Sequence, residues 1–267
     1  MSGSRNPLRM ELLKSAGMYV PPPQSCSQRR REYFVRANRI LGSYATIAAY
    51  SDLGRQWAEQ QAKRGAFTDE TPMKLTIAGR TMHANYRVVK RMLDEALPQL
   101  VNYIYLMVYG NFEAFLSDSI CDALAQLGHP DPIEETIRLM MGTKWLGKID
   151  RISQKLNLDL GKRTRTRHFK DLSMEFLGTV HTDPMELLER MADVRHRLVH
   201  YSGRVDSLFA SEYPNSGLSE GDLIVLPANL PYDVHFFFIL LTGLIDEAFS
   251  DRFGWTRTNV SLEHLVE

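Results

Sequence analysis

The stretch from Asp183 to Gly203, DPMELLERMADVRHRLVHYSG, decides the fold class. Asp183 has the side chain of an N-cap, Pro184 suits the first helical position, and Glu186 stands where a capping box places its acid. Gly203 supplies the stop at the other end. On a wheel at about 100° per residue, Leu187, Met191, Val194 and Leu198 fall within about 60° of one another. One apolar stripe between two stop signals predicts an amphipathic helix from Pro184 to Tyr201. His196 and His200 then point almost opposite the stripe, and Arg195 lies on its flank. His200 also falls in the last turn, where the helix dipole favours a cation.

Working outward, most of the chain carries the same period. Ser27 to about Arg64 reads as a helix, with Tyr33, Ala37, Ile40, Leu41, Tyr44, Ile47 and Ala48 at helical spacing. Gly42 and Gly54 weaken its continuity. Gly65 to Arg80 holds turn residues and the short KLTIAG, an extended connector. Thr81 to Leu127 reads as a second, unusually long helix that Pro98 can kink or split, and Gly128-His129-Pro130 stops it. Three shorter helices are expected at Pro132–Met141, Trp145–Leu156 and Phe169–Leu177. Gly217 to Pro231 is loop-like with one strand candidate, Asp222–Leu226, and Pro231 to Phe253 is the last helix. Residues 1–25 hold few periodic apolar positions and contain Pro21-Pro22-Pro23 near their end, so they read as a tail or arm. Strand signals are scarce, and the expected class is all-α. The expected organisation is a tail at 1–25, a helical N-terminal extension at 26–80 and a helical domain at 81–267.

Composition bounds the function. Lys+Arg and Asp+Glu both number 32, so the formal net charge is zero; a protein that coats nucleic acid by bulk charge is excluded, and a local basic patch is not. With 44% hydrophobic and 24% charged residues the chain can build a sizeable core. Two cysteines, Cys26 and Cys121, make neither a disulfide framework nor a four-cysteine zinc site, which fits a reducing cytoplasm. The most apolar run, Val234 to Ile245, is interrupted by His235 and is shorter than the roughly 20 residues of a spanning helix, so no membrane partner is expected. The N-terminus lacks the continuous apolar core of a secretory signal.

An Arg followed five positions later by a His is a weak signal alone. With 23 Arg and 8 His in 267 residues, about 0.7 such pairs arise by chance. A second pair, Arg163 and His168, lies in GKRTRTRHFK, which has no apolar periodicity to orient it. For His196 and His200 the plain alternative is two histidines on a solvated face. Their i, i+4 spacing also suits zinc. The zincin pattern, however, needs Glu where Arg197 stands, Arg195 and Arg197 would repel a cation, and no third ligand is evident nearby. No metal and no cofactor is expected. Lys162, Arg163, Arg165, Arg167 and Lys170, beside Phe169, form a basic run that can grip an RNA backbone or simply be solvated.

The stretch VRHRLVHYSGRVD resembles the signature of HEPN domains, helical nucleotide-binding domains shared by many RNases of prokaryotic defence and toxin systems. Their motif is Arg, a polar residue, three variable residues and His, matched here by Arg195, His196 and His200. The continuation His200-Tyr201-Ser202-Gly203 resembles the His-x-x-Gly of several branches, and the RiboL-PSP-HEPN-like branch is the nearest in character. Upstream, LMVYGNFEAFLSDSICDAL is similar to the superfamily helix that carries a Phe-Glu pair before a Phe-Leu, here Phe112-Glu113 and Phe115-Leu116. The resemblance covers about Ala96 to Phe253. In some HEPN toxins a Tyr two positions after the motif His is modified by a partner nucleotidyltransferase; Ser202 stands there in this chain.

The resemblance implies an up-and-down helical bundle and endoribonuclease activity without a metal. The substrate 2′-hydroxyl would attack, His200 would exchange protons, Arg195 would hold the scissile phosphate, and His196 would orient it or assist. Glu113 would hold Arg195 or a histidine in place; a structural Glu on an amphipathic helix is the alternative. The implied partners are RNA, a second copy in a homodimer, and an antitoxin or defence-system protein. The competing expectation is a noncatalytic HEPN module that binds RNA or a partner protein.

Overall fold

In the computed structural model, residues 25–77, 79–142, 144–161 and 174–259 are described. The chain is mostly helical. Helix α1 (Gln28–Lys63) begins where the Ser27 hydroxyl accepts the Arg30 N–H. It is followed by the antiparallel hairpin β2 (Pro72–Ile77) and β3 (Arg80–Asn85), whose turn holds Gly79 at φ 76. Helix α2 (Tyr86–Gln126) starts on an Asn85 cap and runs through Pro98 without a break. Helices α3 (Pro132–Met140) and α4 (Trp145–Leu156) follow. A small hairpin, β4 (Met174–Phe176) and β5 (Thr179–His181), leads into α5 (Pro184–His200). Helix α6 (Ser207–Glu212) and a single 3₁₀ turn precede α7 (Leu230–Phe253). Strands β1 (Ser25–Cys26) and β6 (Thr258–Asn259) pair antiparallel and tie the two ends of the described chain together.

Helix α2 is the axis of the packing, with α1, α7, α3, α5 and α4 laid against it. Its buried residues Val101, Ile104, Tyr105, Val108, Phe112, Phe115 and Leu116 recur at three- and four-residue spacing, which puts an apolar face along the helix. Phe112 stacks on Phe238 of α7 at 4.4 Å between ring centroids, and Tyr33 of α1 meets Phe115 edge-on at 5.9 Å. Burying each such ring contributes about 1.5–3 kcal/mol. Polar atoms inside this core are used as joints. The Tyr105 hydroxyl donates to the Met191 carbonyl of α5 at 2.6 Å, and Asn111 Nδ2 donates to the Tyr33 carbonyl at 3.0 Å. Among the described residues no helix is long and apolar enough to cross a membrane.

The structure departs from the sequence reading at three places. Thr81 to Asn85, expected as the start of the second helix, are strand β3; pairing with Pro72–Thr76 satisfies their backbone, and the helix waits for the Asn85 cap. In the stretch expected as a third short helix, Met174–Phe176 is a strand whose burial alternates, Met174 and Phe176 in and Glu175 out. Residues 169–173 of that stretch lie outside the described residues. In the strand candidate Asp222–Leu226, only Leu223 makes a bridge, to Arg204. Buried side chains lie on both sides of the boundary expected near residue 80. Tyr33, Phe34, Ala37, Leu41 and Tyr44 of α1 belong to the same buried cluster as α2 and α7. The tail at 1–25 lies outside the described residues except for Ser25.

Candidate functional site

Helix α5 is positioned by its cap and its buried stripe. Asp183 Oδ1 accepts from the N–H of Met185 at 2.8 Å and of Glu186 at 3.4 Å. Leu187, Met191 and Val194 are fully buried, and Leu198 is half-buried against the core. That packing fixes the rotation of the helix and turns His196 and His200 to solvent. Their rings lie 4.6 Å apart at 46°, and Tyr201 meets His196 edge-on at 5.6 Å. Desolvation by these neighbours, followed by the positive fields of His200, Arg197 and Arg195, holds His196 below its ordinary pKa. Beyond His200 the chain leaves the helix through Ser202 at φ 53 and Gly203 at φ 71, and the Gly203 N–H returns to the Arg197 carbonyl at 3.0 Å.

The two arginines beside His196 have different surroundings. Arg195, half-buried, directs Nη2 to Glu113 Oε2 of α2 at 3.4 Å. One ion pair of that length leaves most of the guanidinium fork open to an anion. Arg197 turns the other way. It is paired with Asp206, and its guanidinium lies over the ring of Tyr201 at 4.9 Å and near that of Phe209 at 5.8 Å. Asp206 also accepts the Phe209 N–H at 2.8 Å as the cap of α6; that bond, and then Arg197, hold its carboxyl below the usual range. Arg197 is therefore part of the scaffold that carries α6, while Arg195 reaches across to α2.

Lys148 and Glu189 join this neighbourhood without having been singled out by the sequence. Lys148 is buried with its ammonium 4.5 Å from the centre of the Trp145 ring. Burial pushes its pKa down, against the opposing fields of Glu113 and Glu189. Trp145 Nε1 donates to the Tyr109 hydroxyl at 2.5 Å, one turn before Glu113, and Glu189 accepts the Leu146 N–H at 3.0 Å. These bonds tie α4 to α2 and α5 around the Arg195–Glu113 pair. The available signal was Lys148 sharing a helix face with Trp145, Ile149 and Ile152, where an apolar side chain is the norm.

Lys162, Arg163, Arg165, Arg167 and Lys170 lie outside the described residues. Among the described residues no three His, Cys, Asp or Glu side chains converge closely enough to hold a metal ion. No family model matches the chain, and neither a curated protein nor a solved structure matches it.

Proposed function

We propose that this chain is a metal-independent endoribonuclease of the HEPN type, an effector in antiviral defence or in a toxin–antitoxin pair. In this reading α2, α4, α5 and α7 form the HEPN-like bundle. The observation that carries it is that Arg195, steadied by Glu113, stands on α5 within a turn and a half of the exposed His196 and His200, whose rings lie 4.6 Å apart. That face offers a fixed cation for a phosphate and two imidazoles able to exchange protons.

The reaction is transesterification within the RNA. The ribose 2′-oxygen, already held beside the phosphate, forms a bond to phosphorus, and the bond from phosphorus to the 5′-oxygen of the next nucleotide breaks. His196, whose lowered pKa favours the neutral imidazole, takes the 2′ proton or orients the phosphate. His200 returns a proton to the leaving 5′-oxygen. Arg195 offsets the charge that builds on the equatorial oxygens. The products are a 2′,3′-cyclic phosphate and a free 5′-hydroxyl. Arg195 and Arg197 on either side of His196 disfavour a cation there, which supports chemistry without a metal.

A single exposed face excludes little water. Two copies related by a twofold axis would close it into a cleft with both sets of charges, and the proposed working form is a homodimer. RNA breakdown by the wild-type protein, lost in a folded His200→Ala variant, tests the reading; equal activity in the two would end it.

A further inference from the structure

The valley between α2 and α5 has two unlike ends. At one, Arg195 meets Glu113, and the Arg195 charge is felt by His196. Past it, toward the C-terminus of α5, the valley opens into a groove of about 400 Å³. Leu106, Leu198 and Ile224 form its floor, and Tyr103, Val199 and Leu223 form its rim. Those rim side chains are 64%, 48% and 55% exposed and line the opening. The wall beyond is held rigidly. Asn102 Nδ2 donates to the Ile224 carbonyl at 2.8 Å, and Asn102 Oδ1 accepts the Leu226 N–H at 3.3 Å. Gln99 and Ser202 bring an amide and a hydroxyl to the edge.

No charged residue lines the groove, so it is a poor seat for a phosphate. An aromatic and aliphatic slot with polar groups only at its edge fits a flat heterocycle, whose faces are apolar and whose rim bears donors and acceptors. Val199 is one turn beyond Arg195, about 6 Å along the axis. A single nucleotide covers such a span between its phosphate and its base.

We propose that the groove is a nucleobase subsite, taking the base of the nucleotide whose phosphate meets Arg195 and His200. The inference rests on the ribonuclease reading of that same face and narrows its substrate to RNA with an unpaired base at the cut. A base held in a duplex cannot enter the slot.

The test compares binding of two noncleavable probes of equal charge, a 2′-fluoro RNA dodecamer and an abasic phosphodiester dodecamer, by fluorescence polarisation. Wild-type protein is expected to prefer the base-bearing probe by about tenfold, in keeping with one stacked base. Tyr103→Ala and Leu223→Ser, both on the exposed rim, should remove the preference without changing the fold or the mass in solution. Arg195→Ala should weaken both probes alike and leave their ratio. Equal wild-type affinity for the two probes overturns the subsite, and with cleavage still lost in His200→Ala it leaves the ribonuclease reading standing. A rim variant that turns a dimer into a monomer also overturns it, because a second copy then covers the groove. Failure of the wild type to bind either probe overturns both.

Discussion

Each of the two longest helices is packed along one half and nearly bare along the other. From Gln28 to Tyr44 helix α1 buries seven residues, among them Tyr33, Phe34 and Leu41; from Ala45 to Lys63 it buries only Ala58. Helix α2 buries thirteen residues from Val101 onward and only Tyr86 before it. The bare halves, with hairpin β2–β3 at their tip, form an arm. Its inner positions include Ala48, Ser51, Ala58 and Ala62, while Ile47, Tyr50, Leu53 and Trp57 stand 46–72% exposed. A short aromatic chain, Trp57 to Phe67 to Tyr86, with centroids 5.4 Å apart at each step, is what the tip has for a core. Helix formation and stabilising burial are thus separable in one element: hydrogen bonding sustains the helix along its whole length, and packing is concentrated where α7, α4 and α5 also converge. Glu113, Arg195 and Lys148 all sit on that packed half, where the surroundings hold them in fixed geometry.

The comparison breaks most readily by truncating one aromatic in each half. Phe112→Ala removes a fully buried ring from the centre of the stack with Phe238 and Trp145 and should cost about 4 kcal/mol in denaturant unfolding. Trp57→Ala in the arm should cost less than about 1 kcal/mol. Equal losses would mean that the arm is as well packed as the core.

Next in size is an acid effect confined to the packed half. His235 of α7 is buried against the Tyr33 hydroxyl at 3.2 Å, and burial lowers its pKa from 6.5 to about 4. The unfolded chain therefore takes up this proton first as pH falls. Its contribution is fully present above about pH 6.5 and is lost progressively down to about pH 4, a loss of about 3 kcal/mol. His235→Gln should flatten that part of the stability profile. A profile of the same slope in the variant would assign the acid effect to other groups.

The smallest effects belong to the arm. Leu53→Ser, at a 61% exposed position, should change stability by no more than about 0.5 kcal/mol. Amide exchange should reach the backbone of Ala45–Lys63 and Arg87–Leu100 well before that of Val101–Leu124. Protection of the arm equal to that of the core would show that its exposed stripe is covered in solution.

What the sequence made legible was mainly local. The caps of α5, the stripe Leu187/Met191/Val194 and the outward direction of His196 and His200 all follow from side chains within a few turns of one another. Features that depend on distant partners were not legible. The role of α1 in the core needs α2 and α7 in place, because its own apolar spacing reads the same in an extension. The part Arg197 plays in the scaffold shows only when α6 brings Asp206 to it. Lys148 enters only because Trp145 anchors α4 on Tyr109. The short strands failed for another reason: three to six residues of alternation, as in Met174–Phe176, are too few to stand out against a helical period.

The most direct test of the account is mass spectrometry of the ends left when the purified protein cuts RNA in the presence of EDTA. The account predicts fragments that end in 2′,3′-cyclic phosphate with 5′-hydroxyl partners, made by the wild type and absent with His200→Ala or Arg195→Ala. Fragments bearing a 5′-phosphate and a free 3′-hydroxyl, or activity that EDTA abolishes and one divalent ion restores, would contradict it.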